Sequence, residues 1–364
     1  MFVVTNRKLN PRKKDLKLFG HEPNEKGPNE LRLVKVVKTG SSYVTTPLMD
    51  KLSKAKLQTL IDKYNLPVDP NEDRYASLEV ACQLFAQSRR QQKNILFFVH
   101  GYNNDLADIM KTAYSLERLY NVIVVPFSWP ANGGGKVSGM ASYLSDKADA
   151  RVSMESLNRF IAKVQEYHKA LTEAQNRELQ EKALAKFPNN PMAREEHFAK
   201  LLGRVCKVTM NLLCHSMGNY LFKYALKPGE GASRDLVFDN VCLVAADANN
   251  ENHSEWAEQT QVRNRLYIVI NENDFALKFS RVKPGKEQKP RLGHYLKNLE
   301  AQNAHYLDVT EATGVGKSHS YFTGAPVNKN NSLKRMFASM FEGDNAERKM
   351  HYHADTNTYS FKRS

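Results

Sequence analysis

The stretch Val208 to Tyr220, VTMNLLCHSMGNY, constrains the fold of this chain more tightly than any other. Val208, Met210, Leu212 and Leu213 read as a buried strand that stops at Cys214-His215-Ser216-Met217-Gly218. From Asn219 onward, Tyr220, Leu221, Phe222, Ala225 and Leu226 fall at helical spacing. A strand that ends on a serine and turns at once into a helix must bring the two elements close together, and the small side chains of Cys214 and Gly218 permit that approach. Such a turn lifts the Ser216 hydroxyl clear of the sheet at a helix N-terminus, where developing negative charge is favoured. Five residues equally describe a serine that only N-caps a helix. The rest of the chain has to decide.

Its 364 residues suffice for one large domain with insertions. Residues 1–8 read as a short strand, followed by a Pro- and Gly-punctuated loop and a second strand at 31–37 that alternates apolar and basic residues. Helices are expected at 49–64 and 72–89. Ile95–Val99 is a continuous apolar run of the kind buried on both faces of a parallel sheet, and it ends in His100-Gly101-Tyr102-Asn103-Asn104. A helical stripe over 106–119 and a strand over 121–127 follow, closing on Ser128-Trp129-Pro130 and Gly133-Gly134-Gly135. Residues 144–203 read as an extended helical insertion, broken at Pro188-Asn189-Asn190-Pro191, either a cap or docking hairpin or a solvated extension. After the serine turn, strands are expected at 241–247, 265–270 and 304–309. The alternation of strands and helices implies a mostly parallel sheet flanked by helices. The expected domain runs over 1–325, and residues 326–364 read as a basic C-terminal tail with a helix near 332–341.

The order of chemistry-bearing residues decides between cap and nucleophile. Ser216 precedes two acids at strand ends, Asp247 and Asp274, and a histidine, His319, in the loop after the last strand. A serine hydroxyl is a poor nucleophile at neutral pH, so His319 would take its proton and return it to the leaving group. An acid must then orient the imidazole. Asp274 is favoured because it lies one strand later and nearer His319 in order; Asp247 is the alternative. Two backbone N–H groups would hold the oxyanion, Met217 next to the nucleophile and Tyr102 in the turn that Gly101 allows to approach. His100 reads as a structural residue of that turn.

FVVTNRK, FFVHGYNN, VVPFSWP, LLCHSMGNY, VAADAN, NENDFAL and SHSYF occur in that order. Together they resemble an uncharacterised bacterial branch of the α/β-hydrolases, domain of unknown function 900, across about residues 1–325; the helical insertion and the tail fit that pattern poorly. The resemblance implies an α/β-hydrolase fold with Ser216, Asp274 and His319 as triad. Cys214 stands where the family usually has Gly or Ala. The implied activity is that of a serine hydrolase acting on an acyl ester, thioester or amide, esterase- or lipase-like. The alternatives are a catalytically idle scaffold used for binding, or an acyltransferase with the same triad.

Charge and cysteines bound the remaining classes. The net charge of +14 concentrates in residues 1–38, with ten Lys/Arg against four Asp/Glu, and in residues 278–297, with seven against one. The second cluster follows Asp274, so Lys283, Lys286 and Lys289 are expected to steer an anionic acyl substrate or to touch an anionic surface; the bland reading is a solvated basic loop. No nucleic-acid partner is expected, since aromatic interleaving and a recognisable module are missing. Gly314-Val315-Gly316-Lys317-Ser318 mimics the end of a phosphate loop, but Glu311 stands where its first Gly should be. His351, His353 and Asp355 sit in a polar tail, so neither a metal nor a cofactor is expected. Cys82, Cys206, Cys214 and Cys242 lack metal-ligand spacing and read as reduced thiols of a cytoplasmic protein.

Overall fold

The computed structural model describes residues 1–27, 30–131, 139–204, 208–226, 236–281 and 289–361. The chain forms two compact units: residues 1–47, 94–161 and 209–364 make the first, and residues 48–93 and 162–208 make the second.

The first unit is built on one sheet. Its strands lie in a set numbered along the chain as β1 (Phe2–Thr5), β2 (Arg7–Leu9), β3 (Phe19–Pro23), β4 (Arg32–Thr39), β5 (Ser42–Pro47), β6 (Asn94–Val99), β7 (Val122–Ser128), β8 (Met210–His215), β9 (Asn240–Val244), β10 (Arg265–Ile270), β11 (Ala304–Asp308), β12 (His351–His353) and β13 (Thr358–Ser360). Eleven of the described strands share the order β12-β13-β11-β10-β9-β8-β6-β7-β1-β4-β5, while β2 and β3 pair separately. From β1 through β7, β6, β8, β9, β10 and β11 to β13 every pairing is parallel. The antiparallel strands are confined to the margins, β4 and β5 at one and β12 at the other.

Burial follows that layout. All residues of β7, β8 and β9 are buried, as expected for strands covered on both faces. In β4 the inward positions Val34 and Val36 alternate with exposed Lys35 and Val37, the signature of a margin strand open to water on one face. Strand β3 falls where the sequence suggested loop, and β5 lies in a stretch for which no element was expected. Each is short, and Pro23 and Pro47 end them, so local composition reads as turn while pairing with β2 and β4 makes the strand.

The helix Leu106–Leu119 forms over the residues expected of it. Asp105 caps its start by accepting from Asp108 N–H at 2.9 Å, and Leu106, Ile109, Met110, Ala113 and Leu116 form its buried stripe. They join one apolar cluster with Leu333, Met336, Phe337, Met340 and Phe341 of a C-terminal helix, Asn331–Glu342.

That helix corrects the reading of residues 326–364 as a tail. The helix itself was expected near 332–341; its apolar residues recur three and four apart, so one stripe is buried in the core while Lys334 and Arg335 lie away from it, and the basic residues around it suggested a tail instead. Its final carbonyls, which lack intrahelical partners, receive side-chain donors from the sheet. Asn211 Nδ2 donates to Phe341 O at 2.7 Å, Asn240 Nδ2 to Met340 O at 3.0 Å, and Thr209 Oγ1 to Glu342 O at 2.8 Å. Beyond it, β13 pairs with β11 inside the main sheet.

The second unit corrects the extent of the helical insertion. Helices Lys54–Tyr64 and Ala76–Gln91 enclose a small core with the later part of Met154–Lys186, using Leu57, Leu60, Leu78 and Cys82 against Tyr167, Leu171 and Ala174. Ser77 Oγ and Tyr167 Oη are hydrogen-bonded at 2.7 Å, and Arg74 pairs with Glu166 at 2.9 Å. Residues 162–208 therefore fold with a segment before β6. An amphipathic helix cannot stay exposed alone, and the sequence does not say which other stripe covers it. Pro191 opens the helix Pro191–Arg204 with Asn190 capping Ala193 N–H at 3.0 Å, as its sequence predicts.

Phe337→Ala should lower unfolding free energy by about 3–5 kcal/mol in urea titration, because its buried ring packs on Tyr321, Phe322 and Phe341. A chain ending at residue 324 should lose its cooperative transition; a retained one would make the segment a tail after all.

Candidate active site

Ser216 follows β8 directly and has φ 54° and ψ −121°, a backbone region that side-chain-bearing residues avoid and that costs about 1–3 kcal/mol to hold. Neighbouring groups over-determine it. Its N–H donates to Val244 O at 3.1 Å. Its carbonyl accepts from Asn219 N–H at 3.0 Å, Asn219 Nδ2 at 3.0 Å and Asp247 N–H at 3.1 Å. Asn219 Nδ2 also reaches Val244 O at 3.1 Å, tying helix, serine turn and β9 together. Although Ser216 stands at the start of the helix Met217–Ala225, its side chain makes no capping hydrogen bond. The cap reading fails there.

Close approach explains the glycines. A Cβ on Gly218 would sit 2.7 Å from the carbonyl oxygens of both Val99 and His100. A Cβ on Gly101 would sit 2.7 Å from Ser216 Cβ and 3.3 Å from its Oγ, so the turn after β6 lies directly against the serine. Cys214 is fully buried, and burial raises its thiol pKa well above the usual range. It fills the small-residue position of the elbow as an inert side chain.

Asp274 and His319 meet. His319 Nδ1–H donates to Asp274 Oδ2 at 2.7 Å, with Asp274 fully buried and the His319 side chain 24% exposed. The other carboxylate oxygen accepts from Ala276 N–H at 2.9 Å and Leu277 N–H at 3.1 Å, so Asp274 also caps the helix Phe275–Arg281. Asn271 holds the histidine loop by donating to Gly316 O at 2.9 Å and Ser318 O at 3.1 Å. Tyr321 fixes its other side: its hydroxyl accepts from Ala245 N–H and donates to Val269 O, both at 3.1 Å. His215, the residue before the serine, donates from Nε2 to His319 O at 3.1 Å, and the two rings lie 4.7 Å apart. Asp247 is engaged elsewhere. It faces the buried Arg291 at 3.1 Å, a guanidinium that also reaches Asn249 and Ser280.

Of the two residues expected at the oxyanion side, Met217 follows the serine directly, and Tyr102 follows Gly101, whose Cβ position meets Ser216. Met217, 1% exposed, is the first residue of its helix, where an N–H has no intrahelical acceptor. Asn104 Nδ2 fixes the other turn by donating to Tyr102 O at 2.7 Å and Gly101 O at 3.2 Å. His100 is structural, as expected: its Nε2 accepts from Trp129 N–H at 3.2 Å, its carbonyl accepts from the indole N–H at 2.9 Å, and the rings stack.

Arg7 is the largest contributor that sequence reasoning overlooked. Almost wholly buried, it donates to Ser128 Oγ, Gly20 O, Ala131 O and Asn104 O. One guanidinium thus joins the ends of β2 and β7 to the turn after β6. Burial pushes its pKa down to about 10, against the pull of Asp146, Asp105 and Asp149. The polar residues in TNR, HGYNN, GN and NEND were the available signal: Arg7, Asn104, Asn219 and Asn271 each satisfy backbone at a strand end.

Other candidates fall differently. Lys283 and Lys286 lie outside the described residues, as does Cys206, and Lys289 pairs with Glu251 at 2.5 Å. His353 bonds Ser360 Oγ within the β12–β13 hairpin. Among the described residues no group of three or more His, Cys, Asp or Glu side chains could hold a metal, and no helix is long and apolar enough to cross a membrane.

The buried histidines set a pH dependence. Burial, then Arg7, lowers the His100 pKa to about 3; burial, then His319, lowers that of His215 well below its ordinary 6.5. Unfolded, each takes a proton near pH 6.5; folded, each stays neutral. Their stabilising contribution is complete above that value and declines as the pH falls, by up to about 1.4 kcal/mol per pH unit for each ring. Asp149, raised to about 6 by burial and by Asp146, acts oppositely, weakened by solvent screening. The urea midpoint should therefore fall between pH 7 and pH 5, and a flat profile would mean that these rings are protonated in the folded protein.

Residues 79–172 match the family model described as "Alpha/beta hydrolase of unknown function (DUF900)". The matched span includes β6, the Gly101 turn and β7 and ends before Ser216. No curated protein and no solved structure matched the chain. With its mostly parallel sheet flanked by helices, a chain similar to that family over residues 79–172 has the fold of an α/β-hydrolase.

Proposed function

We propose that this protein is a serine hydrolase that cleaves an acyl ester, thioester or amide through an acyl-enzyme on Ser216. What carries the reading is the Ser216 backbone. A strained serine, held by three donors to its carbonyl and making no capping bond, lies beside a histidine loop whose imidazole is oriented by a buried carboxylate. A helix cap has no use for that strain; a nucleophile does.

His319 donates from Nδ1 to Asp274, which leaves Nε2 as the basic nitrogen. In the first step Nε2 takes the Ser216 hydroxyl proton while Oγ bonds to the substrate carbonyl carbon, and the carbonyl electron pair moves to oxygen. The N–H groups of Met217 and Tyr102 receive that oxyanion. Collapse expels the alkoxide, thiolate or amine, which takes the proton from His319. Water then repeats the sequence: His319 accepts its proton, the hydroxide bonds to the acyl carbon, and Ser216 leaves with the proton returned. Asp274 stays ionised and stabilises the imidazolium. The substrate is a small-molecule or lipid acyl compound. The described cysteines, Cys82, Cys214 and Cys242, are free and buried, which supports a cytoplasmic setting, where thiols stay reduced.

A fluorophosphonate probe should label the folded protein at Ser216, and Ser216→Ala should abolish labelling. Probe-resistant folded protein, or an adduct that survives the substitution, would leave an idle scaffold.

Asp274→Asn should reduce turnover of an activated ester by about four orders of magnitude with little loss of fold, since it disturbs the imidazole tautomer. Asp247→Asn, which meets Arg291, should act mainly on stability. Equal turnover losses, or the reverse order, would reassign the acid.

A further inference from the structure

The helix Phe275–Arg281 begins one residue after Asp274 and carries an unusual surface. Phe275 is 63% exposed and Phe279 52% exposed. Their rings stack with centroids 6.4 Å apart and planes 22° apart, so they form one apolar patch. The helix meets the core through Leu277 and Ser280, while Lys278 is exposed on the same side as the two rings. Phe275 N–H donates to Lys317 O at 3.4 Å, which brings a second exposed lysine to the patch, two residues before His319. The exposed Glu272 lies in the preceding turn, and its carboxylate accepts from Leu296 N–H at 3.3 Å.

We propose that this face docks on an anionic phospholipid bilayer, with the phenylalanine pair entering the headgroup layer and Lys278 and Lys317 meeting lipid phosphates. Aromatic rings without a polar handle gain from leaving water at such an interface, and lysines beside them gain from its negative potential. The sign of the local charge selects the surface: two lysines flank the rings, on a chain of net charge +14. Because Phe275 follows Asp274 and Lys317 lies two residues before His319, docking brings the partly exposed His319 near the lipid boundary while Asp274 stays buried beneath it. The inference deepens the hydrolase reading by naming lipid as the source of substrate, and it rests on that reading for this final step alone.

The test is sedimentation of the full chain with vesicles of phosphatidylcholine alone and of an equimolar mixture with phosphatidylglycerol. Wild type and Ser216→Ala should bind the mixed vesicles equally well and the neutral ones weakly. Phe275→Ser with Phe279→Ser should reduce binding by on the order of tenfold per ring and leave hydrolysis of a water-soluble ester unchanged. Lys278→Gln should erode the preference for anionic lipid severalfold. Lack of binding to mixed vesicles, equal binding to neutral ones, or full binding by the double variant overturns the proposal. So does a matching loss of soluble-ester turnover, which would place the rings in the acyl pocket. Vesicle binding by Ser216→Ala is read without any turnover, so failure of the hydrolase reading and failure of this one remain distinguishable.

Discussion

Everything at the candidate site depends on one peptide held in a conformation it would not choose. The Ser216 carbonyl takes three donors, two from Asn219 and one from Asp247, while the Ser216 N–H is committed to Val244. A local cost of about 1–3 kcal/mol is met by hydrogen bonds that exist only when β8, β9 and the following helix are all in place. The strain is thus a property of the sheet, expressed at one residue. Gly218 and Gly101 are the steric conditions for it, since a methyl group at either would overlap backbone or the serine itself.

Around that peptide, strand ends are joined by buried polar side chains in place of apolar contacts. Arg7 ties three segments, His100 and Trp129 tie two, Asn271 holds the histidine loop, and Tyr321 bridges Ala245 and Val269. Loops leaving a parallel sheet carry many unpaired carbonyls and N–H groups. Buried groups of that kind must find partners, and a donor-rich side chain such as Arg satisfies several at once. The same logic works at the opposite ends of β8 and β9, where Asn211 and Asn240 bind the final carbonyls of the helix Asn331–Glu342. Asparagine, donor and acceptor in one planar group, serves both ends of this sheet.

The sequence by itself determined the parallel core and singled out the candidate site residues. Continuous apolar runs announced β6, β7, β8 and β10, and helical spacing announced Leu106–Leu119, because both periodicities are local. The order of serine, acid and histidine also needs no tertiary knowledge. Tertiary structure decided what local pattern leaves degenerate. Asp247 and Asp274 both end strands, but one faces Arg291 and the other His319, a difference made by residues far along the chain. The C-terminal segment looked like a tail because its basic residues dominate its composition, yet five apolar side chains on one face of a helix needed a partner face. Helices 54–64 and 76–91 likewise signalled that they must be covered, without saying that residues 162–186 would cover them. A stripe on a helix specifies that it will be buried; only the folded chain specifies against what.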